Sequence, residues 1–200
     1  MLKSAIRFLI PVVIALSVAI LAAYAISLFH DAGEPEQIVV QAPPAPSSPY
    51  SAPGIKMPEV VAAAKANLKD DAPVIGIEAN GRYRAYSEAA MTGMTSHVVN
   101  DLIDNVPVTV TYCDLANCAR AFTGSQRGKP LEVSTGGMVD GNLALRIGTL
   151  WIKQPTGEPM FGDGSAKSPL QDFPMTRTTW KVWRERHPDT DVYIGQIPRS

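Results

Sequence analysis

The run PVIGIEANGRYRAY, Pro73 to Tyr86, constrains this chain more than any other stretch. It alternates on both sides of Asn80-Gly81, two residues that tolerate the positive φ of a type I′ turn, so it predicts a β-hairpin. Other segments read the same way. VPVTVTYC alternates strictly, with Val106, Val108, Val110 and Tyr112 directed toward a core and Pro107, Thr109, Thr111 and Cys113 on the opposite face. LEVSTGGMV and NLALRIG flank Asp140-Gly141, a second turn signal. TLWIKQ adds a strand before Pro155-Thr156-Gly157, and DVYIG closes the chain as another.

Three helices are expected between these strands. Pro58 to Leu68, PEVVAAAKANL, has proline at a first helical position followed by good helix formers. SHVVNDLIDN spaces Val98, Val99, Leu102 and Ile103 at helical intervals with Ser96 as a cap. TTWKVWRERHP carries Trp180 and Trp183 on one face, is capped by Thr178 or Thr179, and is stopped by Pro188. Hairpins with a few short helices define an α+β domain built mainly of antiparallel sheet.

Ahead of that domain, the 22 residues Phe8 to Phe29 carry no charge. As a helix they reach roughly 33 Å, enough to cross a bilayer as an N-terminal transmembrane helix. Lys3 and Arg7 precede the run, and Asp31, Glu34 and Glu36 follow it, so the positive-inside bias puts the N-terminus in the cytoplasm. The body of the chain then lies in the periplasm or equivalent extracytoplasmic space, held at the cytoplasmic membrane by a single pass. A cleaved signal peptide, with Ala23-Tyr24-Ala25 as its site, leads to the same compartment. Asp31 to Gly54 holds six prolines and little to bury, so it reads as a tether of polyproline character. The expected organisation is an anchor over 1–30, a Pro-rich linker over 31–56 and one domain over 57–200.

A formal net charge of -1 points to no nucleic-acid or polyanion partner. GSQRGKP lacks the spacing of a phosphate loop, and no nucleophile elbow, zinc-protease helix, dinucleotide-binding glycine pattern or calcium loop occurs. Hydrolases and nucleotide enzymes of the common kinds are therefore not expected. The remaining partners are the membrane, through the N-terminal helix, and a protein or small molecule.

The only two cysteines, Cys113 and Cys118, lie in VTVTYCDLANCARAF. On one strand they would be about 16 Å apart, and on one helix about 140° apart around the axis, so only a chain reversal unites them. Asp114 and Asn117 favour a turn, and a four-residue loop would set the cysteines opposite one another across a hairpin. In an oxidising compartment a Cys113–Cys118 disulfide is the default for two such neighbours. The alternatives are a thiol redox pair or a copper or zinc site, with His97 as the natural third ligand. His97 is equally explained as a solvated residue in a first helical turn, and His30 and His187 are poorly placed to help. Tyr112, Trp151, Trp180 and Trp183 read as core aromatics.

The segments VIGIEANGRYRAY, SHVVNDLIDNVPVTVTYCDLANCARAF, LRIGTLWIKQPTGEPM and TTWKVWRERHPDT, in that order, resemble the DUF3179 family of bacterial and archaeal proteins. In that family a His-Glu pair precedes an Asn-Asp pair, and a Pro-Val-x-Val-Thr-Tyr-Cys strand runs into Cys-Pro-Leu-Cys. The resemblance implies His97, Asn100, Asp101, Tyr112 and Cys113 as a cluster, with Trp151 and Trp180 as further matching positions. Val98 stands where the family has the glutamate, and four residues rather than two separate the cysteines. No activity follows from the resemblance. Two functions are therefore expected to compete: a membrane-anchored binding or interaction module stapled at Cys113 and Cys118 without catalysis, and a metal-binding or thiol redox protein. The second would use Cys113, Cys118 and His97, with Asp101 orienting the imidazole, and would bring the His97 ring near the sulfurs.

Overall fold

A computed structural model describes residues 51–161 and 165–195. The transmembrane run and most of the Pro-rich tether lie outside the described residues. Among the described residues, no helix is long and apolar enough to cross a membrane.

In chain order the strands are β1 (Ala52–Pro53), β2 (Ile55–Lys56), β3 (Val61–Ala62), β4 (Pro73–Ala79), β5 (Arg82–Ser87), β6 (Val98–Ile103) and β7 (Val106–Cys113). They continue as β8 (Cys118–Thr123), β9 (Val133–Val139), β10 (Asn142–Ile147), β11 (Leu150–Lys153), β12 (Gln171–Asp172), β13 (Thr176–Thr179) and β14 (Asp191–Tyr193). Between β13 and β14 comes a helix, α1 (Trp180–Arg186). Among the described residues three sheets result, in the orders β1-β9-β10-β11, β12-β8-β7-β6-β2 and β13-β4-β5-β14-β3. Nearly all pairings are antiparallel, but β14 runs parallel to β5 and β2 parallel to β6.

The sheet of β7 is the middle layer. Val99, Ile103, Val106, Val108, Val110 and Tyr112 pack with Ile75, Ile77 and Tyr86 of the β4–β5 sheet in one core. The opposite face, with Val98, Cys113 and Phe122, packs with Val133, Leu143, Leu145 and Ile152 of the β9–β10 sheet in a second. Every residue of β7 is consequently buried. On the far side of the β4–β5 sheet, Trp180 and Trp183 of α1 close a third cluster with Val74, Ala85 and Val192.

The predicted hairpins are present, with positive φ at Asn80 and Gly81 and again at Asp140 and Gly141. Two predicted helices are not. Val98 to Ile103 is a strand paired along its length with β7. Its apolar residues sit at helical spacing only because both faces of a middle-layer strand are buried, which erases the period of two. The turn that follows, Asp104-Asn105, has positive φ at both residues, as a two-residue primed hairpin demands. Pro58 to Leu68 forms β3 and a 3₁₀ turn over Ala63–Lys65. Val61 pairs with Val192, while Ala63, Ala66 and Leu68 pack on the tryptophan cluster; those contacts outweigh the weak propensity of an eleven-residue helix. The helix α1 is as expected, with Thr179 at its cap position though making no side-chain cap bond. Ala52–Pro53 and Ile55–Lys56, assigned to the linker by composition, are strands of two different sheets.

Candidate functional site

The strand β7 ends at Cys113, the chain turns through Asp114-Leu115-Ala116-Asn117, and β8 begins at Cys118. Asn117 takes the left-handed conformation, φ 47°, and its N–H donates to the Asp114 carbonyl at 3.3 Å. Cys113 and Cys118 are direct register partners across this hairpin, the reversal their spacing requires. The structure places no bond between the two sulfurs. Opposed Cβ atoms in such a pair stand about 4.5–5.5 Å apart, wider than the usual disulfide spacing of about 3.8 Å. Cys113 is buried and Cys118 half-buried, and burial pushes the Cys118 thiol pKa up against the pull of Arg120.

Alternation along β7 and β8 puts the cysteines on the face shared with Thr111, Arg120 and Phe122, the face covered by the β9–β10 sheet. There Cys113 Sγ lies 3.9 Å from Sδ of Met138, which sits on β9 opposite Leu143 and is 40% exposed. Buried Gln154 donates through Nε2 to the Thr111 hydroxyl at 3.1 Å and to the Cys118 carbonyl at 2.9 Å, tying the hairpin to the same sheet.

His97 sits just before β6. Its Nδ1 lies 2.9 Å from the Tyr112 carbonyl, and its own carbonyl accepts from the Tyr112 N–H at 3.0 Å. A carbonyl only accepts, so Nδ1 is the donor in this contact. Tyr112 belongs to the face opposite the sulfurs. No group of three His, Cys, Asp or Glu side chains able to hold a metal ion is found among the described residues. The expected set of Cys113, Cys118 and His97 is therefore not assembled as such a group, the His97 ring being held instead by the Tyr112 carbonyl.

Asp101 does not orient the His97 imidazole. It faces the β4–β5 sheet, where its carboxylate accepts from Arg84 Nη1 at 3.0 and 2.8 Å and from the Tyr86 hydroxyl at 2.5 Å. Arg84 also holds Asp191 through Nε at 2.6 Å and Nη2 at 2.8 Å. Burial first, and then the Asp101 charge, pushes the Tyr86 phenol well above its usual range. Asn100 points the other way and joins three strands. It accepts from Thr109 Oγ1 at 2.8 Å and the Val133 N–H at 3.3 Å, and it donates to the Val133 carbonyl at 2.7 Å. A Cβ at Gly54 would lie 2.5 Å from both Asn100 Nδ2 and the Val133 carbonyl oxygen, so only glycine fits where β1 gives way to β2.

Tyr112 anchors the hairpin tip from behind. Arg177 of β13 stacks over its ring, 5.4 Å from the centroid, and donates from Nη2 to Glu88 at 2.8 Å and from Nη1 to the Asn117 carbonyl at 3.0 Å. Trp151 and Trp180 are both buried, as is Trp183. Trp151 lies under the Arg146 guanidinium at 5.3 Å. They are packing residues.

Sequence reasoning did not find Met138, Gln154, Arg84 or Arg177, all from strands or turns distant in the chain. The primed-turn pair Asp104-Asn105 is the one overlooked local signal, since it marks β6 as a strand. A cleft of about 390 Å³, lined by Ser125, Gln126, Leu131 and Ile147 among others, contains none of the cysteine-hairpin residues.

The fold and site define a layered β-domain with a dithiol hairpin at the edge of its second core. The family model described as "Protein of unknown function (DUF3179)" matches residues 51–196. The chain belongs to that family. No curated protein and no solved structure matches it.

Proposed function

We propose that the chain is a single-pass, membrane-anchored binding module of the extracytoplasmic space, and that its ligand is a soft metal ion held by Cys113 and Cys118. The observation that supports the reading is the cross-strand register of the only two cysteines, which sets them opposite one another on one face of the β7–β8 hairpin. Thiolates opposed across a strand pair can share one ion, and sulfur ligands select copper(I) and zinc over hard cations. The uncharged run Phe8 to Phe29 and the following tether support the address.

The same register favours a second reading, a structural disulfide closed by a small approach of the two strands. Thiol titration and elemental analysis of the full-length protein, purified in detergent from the membrane fraction, separate the two. Two titratable thiols in the metal-free protein and stoichiometric copper or zinc after loading support the binding module; no thiols and no metal uptake after mild reduction overturn it. A C-terminal alkaline phosphatase fusion tests the address, because that enzyme is active only outside the cytoplasm. An inactive fusion rejects the proposed orientation.

A further inference from the structure

We propose that the bound ion is copper(I) and that Met138 supplies its third ligand, in the place where sequence suggests His97. This rests on the dithiol reading above and adds to it the ion and the coordination set. Two ligands about 2.3 Å from one ion and 120° apart around it are separated by about 4 Å. Cys113 Sγ and Met138 Sδ are 3.9 Å apart. Cys118, the register partner of Cys113 on the same face of the sheet, would supply the remaining sulfur.

Three separate strands, β7, β8 and β9, thus each bring one sulfur to the same rim, and the sheets that carry them are held together by a continuous apolar core. The core fixes the backbone while Met138, 40% exposed, leaves an entry path from solvent. A thioether is an uncharged, soft donor. It suits copper(I), adds little for zinc, and offers nothing to calcium or magnesium. Two thiolates and one copper(I) leave a single negative charge at the rim. Binding releases the two thiol protons to solvent and changes no oxidation state.

The test is anaerobic titration of the full-length protein with copper(I) against a chromogenic copper(I) chelator, with zinc titrated in parallel and the copper site examined by X-ray absorption. The wild type is expected to bind one copper(I) with three sulfur neighbours. Met138→Leu, a change of similar volume at a part-exposed site, is expected to lose at least about tenfold in affinity, the loss seen even for residues behind the ligands, and to show two sulfurs. Met138→His is expected to regain affinity with a nitrogen in the third position, which a packing role for Met138 would not produce. Circular dichroism of each variant establishes that the sheets are intact. Unchanged affinity and three sulfurs in Met138→Leu would overturn the Met138 assignment while leaving the dithiol reading in place. A preference for zinc with a nitrogen neighbour in the wild type overturns the copper(I) assignment in favour of His97. Failure of the wild type to take up either metal sinks the dithiol reading itself.

Discussion

Arg84 on β5 and Asp101 on β6 belong to different sheets, and their ion pair, made by Nη1 with both carboxylate oxygens, crosses the core between them. Asp101 is 1% exposed, and the same guanidinium reaches Asp191 on β14, so one arginine joins three strands in two sheets. Breaking such a pair from one side strands a buried charge.

Arg84→Met is accordingly expected to cost about 3–5 kcal/mol in urea unfolding. Arg84→Lys should fall between, because an ammonium cannot fork onto two carboxylates. Adding Asp101→Leu to Arg84→Met should recover part of the loss. If Arg84→Met unfolds within about 1 kcal/mol of wild type, the cross-sheet pair is not a stabilising element.

Asn100→Ala leaves the Val133 N–H and the Thr109 hydroxyl without their shared acceptor in a buried place. The expected loss is about 1–3 kcal/mol. Hydrogen exchange at the Val133 amide should quicken more than at amides of β4. Uniform acceleration across all three sheets would argue against a local joint.

Gly76 lies under α1, where an added Cβ would meet the Trp183 ring at 2.2 Å. Gly76→Ala should therefore cost about 3 kcal/mol, the upper end for overpacking, and should shift the tryptophan fluorescence as Trp183 is displaced. An alanine variant with wild-type stability and spectrum would show that the helix seats elsewhere.

Burial raises the phenol pKa values of Tyr86, Tyr112 and Tyr193, helped at Tyr86 by Asp101 and at Tyr112 by Glu88. Below about pH 10 folded and unfolded chains both hold these protons, and the three phenols add no pH dependence. Above it the unfolded chain releases protons that the folded chain keeps, so stability falls as pH rises toward the raised folded values. Absorbance at 295 nm should show late tyrosine ionisation accompanied by loss of the sheet signal in circular dichroism. Complete ionisation near pH 10 with the sheet signal intact would contradict this.

Much of the fold was legible locally. Asn80-Gly81 and Asp140-Gly141 announced their hairpins because a backbone that must take positive φ leaves a mark in residue type. The valine strand and the reversal between the cysteines were readable for similar reasons. The segment Val98 to Ile103 was misread as a helix, since burial on both faces removed the alternation that identifies a strand. Of the candidate site, Cys113 and Cys118 were found as a pair, whereas His97, Asn100 and Asp101 turned out to serve the Tyr112 strand, the Val133 strand and Arg84 respectively.

From the order of residues alone came the turns, most strands, the tryptophan helix and the juxtaposition of the two sulfurs, all consequences of short-range backbone geometry. Which side chains those sulfurs and carboxylates meet was decided by the stacking of three sheets. Met138 reaches Cys113 across 25 positions of chain and Arg84 reaches Asp191 across 107, and no local periodicity encodes a neighbour brought in by the packing of one layer on another.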